Sequence, residues 1–268
     1  MPSTYAHFRL GRELLPLLSG PLRAAADAYP QLYDIGLHGP DILFNHCPLV
    51  KTRINRMGYT IHARPGSEFF SLSLEAVRRG GQPALAYAAG CLCHFAMDTV
   101  CHAYVERTER QGVVSHCAME ADLDRALMAE DGQDPLRFPL CGHIRASREN
   151  AAVIAAFYPG VTGGQIRRSV RSMVLNQRFL QSPSPLFRRV IRRVLRPFGQ
   201  MADMVLSDQA DPRCVRTTHR LVRQYPFCLK TALRLTEEYT AALCEGRGLG
   251  PLFSRNFNGS HCDRKEDR

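Results

Sequence analysis

Lysine is nearly missing from this basic sequence: of 35 Lys and Arg residues, only Lys51, Lys230 and Lys265 are lysines. The net charge of +10 therefore rests on arginine, whose planar fork matches phosphate oxygens and whose field concentrates anionic substrates at low salt. That favours phosphoesters as a class without separating lipid from nucleotide, and genomic base composition alone produces the same bias. Period-2 alternation of Val, Ile and Thr is scarce, which argues against a sheet-based fold. Ten cysteines include no Cys-x-x-Cys pair, so no zinc-ribbon pattern is present. No apolar run qualifies as a membrane span, because the longest, 84–104, contains His94, Asp98 and His102, which a bilayer centre penalises. The chain opens Met1-Pro2-Ser3-Thr4 without a charged and then apolar leader. The expected location is the cytoplasm, where thiols stay reduced and cysteine serves as a small apolar core group. Cys101 is the one thiol with a competing claim to coordination.

What is present is the composition of a globular protein, 45% hydrophobic and 22% charged, long enough to bury a sizeable core without disulfides. Helical stripes recur at 71–79, 165–175, 186–195 and 231–243, and loops rich in Gly and Pro at 36–40, 80–83, 131–139 and 182–185 separate them. The expected fold is all-α: a single-domain helical bundle over 1–253 with a flexible tail at 254–268, which lacks apolar periodicity.

Within this apolar pattern sits a run of metal-ligand side chains, His94-x3-Asp98-x3-His102-x13-His116-x3-Glu120. A helix turns about 100° per residue, so residues four apart differ by roughly 40° and residues eight apart by about 80°, which puts His94, Asp98 and His102 on one face. An unpaired carboxylate in so apolar a segment costs several kcal/mol or neutralises itself, so something cationic is expected to face Asp98. Ser115 is a fitting N-cap for the next helix, where Met119, Leu123 and Leu127 form an inward stripe that carries His116 and Glu120. His7 falls on a stripe with Leu10, Leu14 and Leu18, in a helix capped by Ser3 or Thr4 and kinked at Pro16. Alone, His7 reads equally as a hydrogen-bonded core histidine, Asp98 as half of a buried ion pair with an Arg, and His116 with Glu120 as an exposed helix pair. Taken together, nitrogen and oxygen donors without obligatory thiolate suit Zn2+, and so many donors exceed what one tetrahedral site uses, so two or three ions are expected.

Three stretches, Tyr33-Asp-Ile-Gly-Leu-His-Gly-Pro-Asp41, Gly58-Tyr-Thr-Ile-His62 and the Cys93-His-Phe-Ala-Met-Asp98 segment running on to His116-x3-Glu120, resemble the bacterial zinc-dependent phospholipase C family over residues 4–150. That family and the related trinuclear-zinc single-strand nucleases are all-helical. The resemblance implies one ion on Asp41, His62, His94 and Asp98, a second on His102, His116 and Glu120, and a third bridged by Asp98 with His7 beside it. It implies that Asp41 is the catalytic carboxylate, orienting or deprotonating a metal-activated water that attacks a phosphodiester. This chain departs from the pattern in its amino terminus, which completes the third site in secreted members, and in the short gap between Asp98 and His102. His46 competes with His62 as the partner of Asp41. His38 suits a supporting role, and His143, His219 and His261 have no partner pattern.

The segment 185–196 places Phe187, Val190, Ile191 and Val194 on one face and Arg188, Arg189, Arg192, Arg193 and Arg196 over the rest. That is the arrangement of a helix lying at lipid headgroups, or of a peripheral bundle helix with a solvated basic face. Aromatic residues are not interleaved with these arginines, so a single-strand stacking platform is unsupported. The leading expectation is a zinc-dependent phosphodiester hydrolase acting on a phospholipid. Hydrolysis of another phosphoester, such as single-stranded nucleic acid or a nucleotide, and a non-catalytic metal-stabilised helical binding module are the alternatives.

Overall fold

The computed structural model describes residues 4–260. Ten α-helices among them carry the fold: α1 (Thr4–Leu14), α2 (Gly20–Ala28), α3 (Pro30–Gly36), α4 (Arg53–Ala63), α5 (Gly66–Arg110), α6 (His116–Glu130), α7 (Arg148–Ala155), α8 (Gly163–Leu180), α9 (Pro185–Leu195) and α10 (Val215–Glu245). The single β pairing among the described residues is an isolated bridge between Pro65 and Asn256. The all-α expectation holds because the apolar residues recur at helical spacing and the Gly and Pro residues fall mostly between the repeats.

Helix α5 is the axis around which α2, α3 and α10 pack. An apolar stretch within it has the length and hydropathy of a membrane span, but 94% of that window is buried inside the protein, which makes it a core helix here. The loop expected at 80–83 is instead a break inside α5: Gly81 takes φ 63° and ψ −147°, a conformation glycine reaches without steric cost. Pro83 then sits in the first turn of the second half, where its missing N–H removes no helical hydrogen bond.

The crossing of α3 over α5 brings the two backbones into direct contact. A Cβ on Gly90 would collide with the Tyr33 carbonyl oxygen and the Gly36 backbone, and one on Gly36 would collide with the Tyr87 carbonyl oxygen. Two glycines thus let two backbones touch, which draws the 3-10 turn Gly39–Asn45, carrying Asp41, down onto the ligand face of α5.

Capping follows the sequence in α6, where Ser115 Oγ accepts the Ala118 amide at 3.2 Å. It does not in α1, where the amides of Tyr5 and Ala6 are accepted by the two oxygens of Asp124, at 3.0 and 2.9 Å. A carboxylate from α6, rather than the expected Thr4 hydroxyl, caps α1; Ser3, the other expected cap, lies outside the described residues. Thr4 Oγ1 instead accepts from Gln177 at 2.8 Å. α1 also stops at Leu14, and Pro16 lies in a short 3-10 turn, Leu15–Leu17.

The flexible tail expected from residue 254 is corrected over 254–260. Phe253 and Phe257 are fully buried, ringed by Phe70 and Phe95, and the Gly66 amide donates to the Arg255 carbonyl at 2.7 Å. Two aromatic rings anchor a stretch that has no apolar repeat for periodicity to detect. Residues 261–268 of that tail, with His261, lie outside the described residues.

Candidate metal centre and its chamber

The eight residues singled out in the sequence, His7, Asp41, His62, His94, Asp98, His102, His116 and Glu120, converge from α1, the 39–45 turn, α4, α5 and α6. Their donor atoms form three groups: His7, His94 and Asp98; Asp41, His62 and His94; and His102, His116 and Glu120. Asp98 lies at the middle. Its Oδ1 is 3.4 Å from His7 Nε2 and 3.7 Å from His102 Nε2, and its Oδ2 is 3.1 Å from His94 Nε2 and 3.7 Å from His62 Nε2. Asp41 Oδ1 is 2.9 Å from His62 Nε2. Glu120 Oε1 lies 3.0 Å from His102 Nε2 and 3.2 Å from His116 Nε2.

The histidine rings are aimed by the backbone. His62 Nδ1 donates to the Gly58 carbonyl at 2.8 Å, His94 Nδ1 to Leu37 at 3.2 Å and His102 Nδ1 to Phe257 at 3.0 Å. A carbonyl oxygen only accepts, so each Nδ1 carries the proton and a neutral ring leaves its Nε2 lone pair facing the cluster. The carboxylates across from those lone pairs also only accept. Acceptor facing acceptor in a buried site is repulsive unless a proton or a cation lies between. In keeping with this, His94 Nε2 and Asp98 Oδ2 are buried without a hydrogen bond. The donor set therefore fits zinc, with backbone carbonyls in the orienting role that ligating histidines require.

Protons do the same work when no cation is present. Burial disfavours charge on His102, yet Asp98 and the Glu120 hydrogen bond outweigh it and hold the ring up at about 10. Burial likewise opposes His94, and Asp98 and Asp41 prevail. Burial alone would raise the Asp98 carboxyl; His102, His94 and His7 keep it well below the usual carboxylate range.

The other candidates of the sequence lie apart from the cluster. His46 hydrogen-bonds near Thr52 Oγ1 at 3.4 Å and joins none of the three groups. His38 and His143 face each other, Nε2 to Nε2, at 3.0 Å. Cys101 Sγ is 3.8 Å from Cys228 Sγ, and that contact together with burial pushes its thiol well up, away from the thiolate a metal needs.

Beside the cluster opens a chamber of about 760 Å³. Asp41, His62, His102, His116 and Glu120 form its floor. Its walls are mostly apolar, with Phe44, Leu49 and Tyr59 on one side and Phe179, Leu180, Ile191, Val194, Leu195, Phe198, Met201 and Met204 on the other, interrupted by Glu106, Glu109 and the amides of Asn45, Asn176, Gln177, Gln200 and Asn258. No lysine or arginine lines it. Asp41 is the more open of the two central carboxylates, its side chain 13% exposed against 2% for Asp98. The sequence reading missed this second wall, because residues 176–204 meet the clustered histidines and carboxylates only through tertiary packing. The apolar face of α9 was the one signal for it. Arg188 departs from that helix's expected solvated basic face: it is buried and donates to the Ser182 and Pro183 carbonyls at 2.9 and 3.1 Å.

A helical protein with clustered imidazole and carboxylate donors at the foot of an apolar chamber has the build of a metal-dependent hydrolase. A family model described as zinc dependent phospholipase C matches residues 6–161, more than half of the chain. The chain belongs to that family. No curated protein and no solved structure matches it.

Proposed function

We propose that this protein hydrolyses the headgroup phosphodiester of a glycerophospholipid, with the phosphate over the Asp41 and Glu120 end of the cluster and the apolar part of the lipid in the chamber. The observation that carries this reading is the junction at Asp41, where five of the eight clustered donors floor a large, mostly apolar cavity free of lysine and arginine. A nucleic-acid substrate asks for a basic track along its backbone, and the chamber lining offers none.

His7, His62, His94, Asp98, His102, His116, Glu120 and Asp41 would hold two or three zinc ions. Zinc, when bound, supplies a Lewis acid that neutralises phosphodiester charge and makes water a competent nucleophile near neutral pH. Asp41 orients and deprotonates that water, since unlike Asp98 it opens toward the chamber while His62 steadies its Oδ1. The walls exclude bulk water and hold the lipid's apolar portion. Leu49, Tyr59, Phe179, Phe187, Val190, Val194 and Phe198 form an exposed apolar fringe, and with the arginines of α9 they suit peripheral contact with a bilayer. The nine cysteines of the described residues are all free thiols, which supports residence in a reducing compartment, the cytoplasm.

The test is hydrolysis of a short-chain phosphatidylcholine, read as phosphocholine released. Zinc-loaded protein turns it over, chelation abolishes turnover, and Asp41→Asn lowers kcat by about 10²–10⁴. No release by zinc-loaded protein, or undiminished release by Asp41→Asn, would refute the reading.

A further inference from the structure

We propose a second, non-catalytic anion site on the opposite side of α5, built to hold a phosphate group. Tyr104 lies two residues from both His102 and Glu106, which at about 100° per residue turns it to the far side of the helix from the chamber. There a cleft of about 430 Å³ is lined by Tyr104, Arg107, Arg216, His219, Arg220 and Arg223. It shares no lining residue with the chamber.

The charge arrangement is what calls for a ligand. Neighbouring arginines are neutralised: Arg110 meets Glu106 at 3.1 Å, and Arg213 meets Asp203 and Asp211 at 3.1 and 2.7 Å. Arg107, Arg216, Arg220 and Arg223 make no ion pair with any described residue, and no carboxylate lines the cleft. Arg107 and Arg220 both stack on the one Tyr104 ring, their guanidinium carbons 5.8 and 5.9 Å from its centroid. Two cations from two helices thus lie within reach of a single aromatic ring.

Their position on α10 is also unfavourable by itself. Arg216 and Arg220 are an i, i+4 like-charge pair and Arg220 and Arg223 an i, i+3 pair, both destabilising on a helix. Arg216 and Arg220 lie in the first two turns of α10, the positive end of the macrodipole. An anion in the cleft reverses both penalties and gains the planar, bidentate recognition that guanidinium gives phosphate oxygens. The group recognised is a phosphate, whether free in solution or on an anionic lipid headgroup.

The experiment titrates inorganic phosphate at low ionic strength into zinc-loaded protein, comparing wild type with Arg216→Gln/Arg220→Gln by calorimetry. Co-sedimentation with phosphatidylcholine vesicles, with and without phosphatidylglycerol, runs in parallel. We expect the wild type to show phosphate binding that weakens about tenfold in the double variant, ~1.4 kcal/mol. Zinc content and turnover of a soluble phosphocholine ester, if the wild type has it, stay unchanged. Because the cleft is separate from the chamber, its result stands whether or not lipid hydrolysis is found. Arg223→Gln, a single change further along α10, supplies an independent variant with a smaller loss. Arginine-dependent retention on phosphatidylglycerol vesicles supports the site with a lipid headgroup as the source, and loss confined to inorganic phosphate supports a soluble ligand. Equal phosphate affinity and equal vesicle retention in wild type and variants overturn the proposal. So does arginine-dependent binding of a single-stranded oligonucleotide without any response to phosphate or vesicles.

Discussion

His94 Nε2 and Asp98 Oδ2 lie 3.1 Å apart, buried, with no hydrogen bond between them. His94 Nδ1 is committed to the Leu37 carbonyl, so the neutral ring turns a lone pair toward the carboxylate. A divalent cation resolves that repulsion; an amide resolves it differently. Asp98→Asn places an N–H donor opposite His94 Nε2 and removes the central charge. The variant should lose zinc-dependent stabilisation. Elemental analysis and thermal melts with and without zinc check this: the wild type gains about 3–4 kcal/mol at zinc far above its dissociation constant, and the variant gains almost nothing.

Gly90→Ala tests the α3–α5 contact. The new methyl meets backbone on both sides, the Tyr33 oxygen and Gly36, and no flexible side chain is available to move aside. The expected loss is about 3 kcal/mol, a fall in Tm of roughly 10 °C, with weaker zinc retention because Asp41 rides on the displaced turn. A Tm within a degree or two of wild type would contradict it.

Acid should destabilise the protein through His143. Burial first, and the Arg12 charge second, push this ring from 6.5 down to about 3, and burial together with His143 lowers His38 as well. The folded state therefore binds these protons less readily than the unfolded chain. The stabilisation is complete above about pH 6.5 and is lost as pH falls from there toward about 3. His143→Gln should reduce the loss between neutral pH and about pH 4 by on the order of 1–3 kcal/mol. Urea melts at the two pH values measure it, and an acid loss identical to wild type would count against the assignment.

Charge placed on the chamber wall should separate lipid substrates from soluble ones. Val194 lines the chamber and is 61% exposed, so an aspartate there stays hydrated and spares the fold. Val194→Asp should lower turnover of phosphatidylcholine vesicles about tenfold, since it removes apolar contact and repels headgroup phosphate. A soluble phosphocholine ester should be cleaved at close to the wild-type rate. Equal losses on both substrates would place the effect on the cluster instead.

Much of the centre was legible because its donors follow helical spacing. His94, Asp98, His102, His116 and Glu120 share inward faces of α5 and α6, and periodicity finds such faces. His7, Asp41 and His62 needed the family resemblance, since each brings one donor from a separate element. Asp124 passed unnoticed: a carboxylate that caps a helix 118 residues away in sequence leaves no local trace. Gly-Gly-Gln-Pro did mark an interruption, at Gly81, but a kink rather than a separating loop, because the two halves of α5 continue directly across it. The order of 254–260 was hidden for a related reason, since two buried phenylalanines substitute for a repeat.

The Phe257 carbonyl that steadies His102 is made long after the ring it aims. A growing polypeptide therefore holds every proposed zinc donor from residue 120 onward, yet lacks the acceptor that turns one of them inward until about half of its length more has been synthesised. The imidazole proposed to meet the second ion is therefore aimed only once the Phe257 segment has joined the fold.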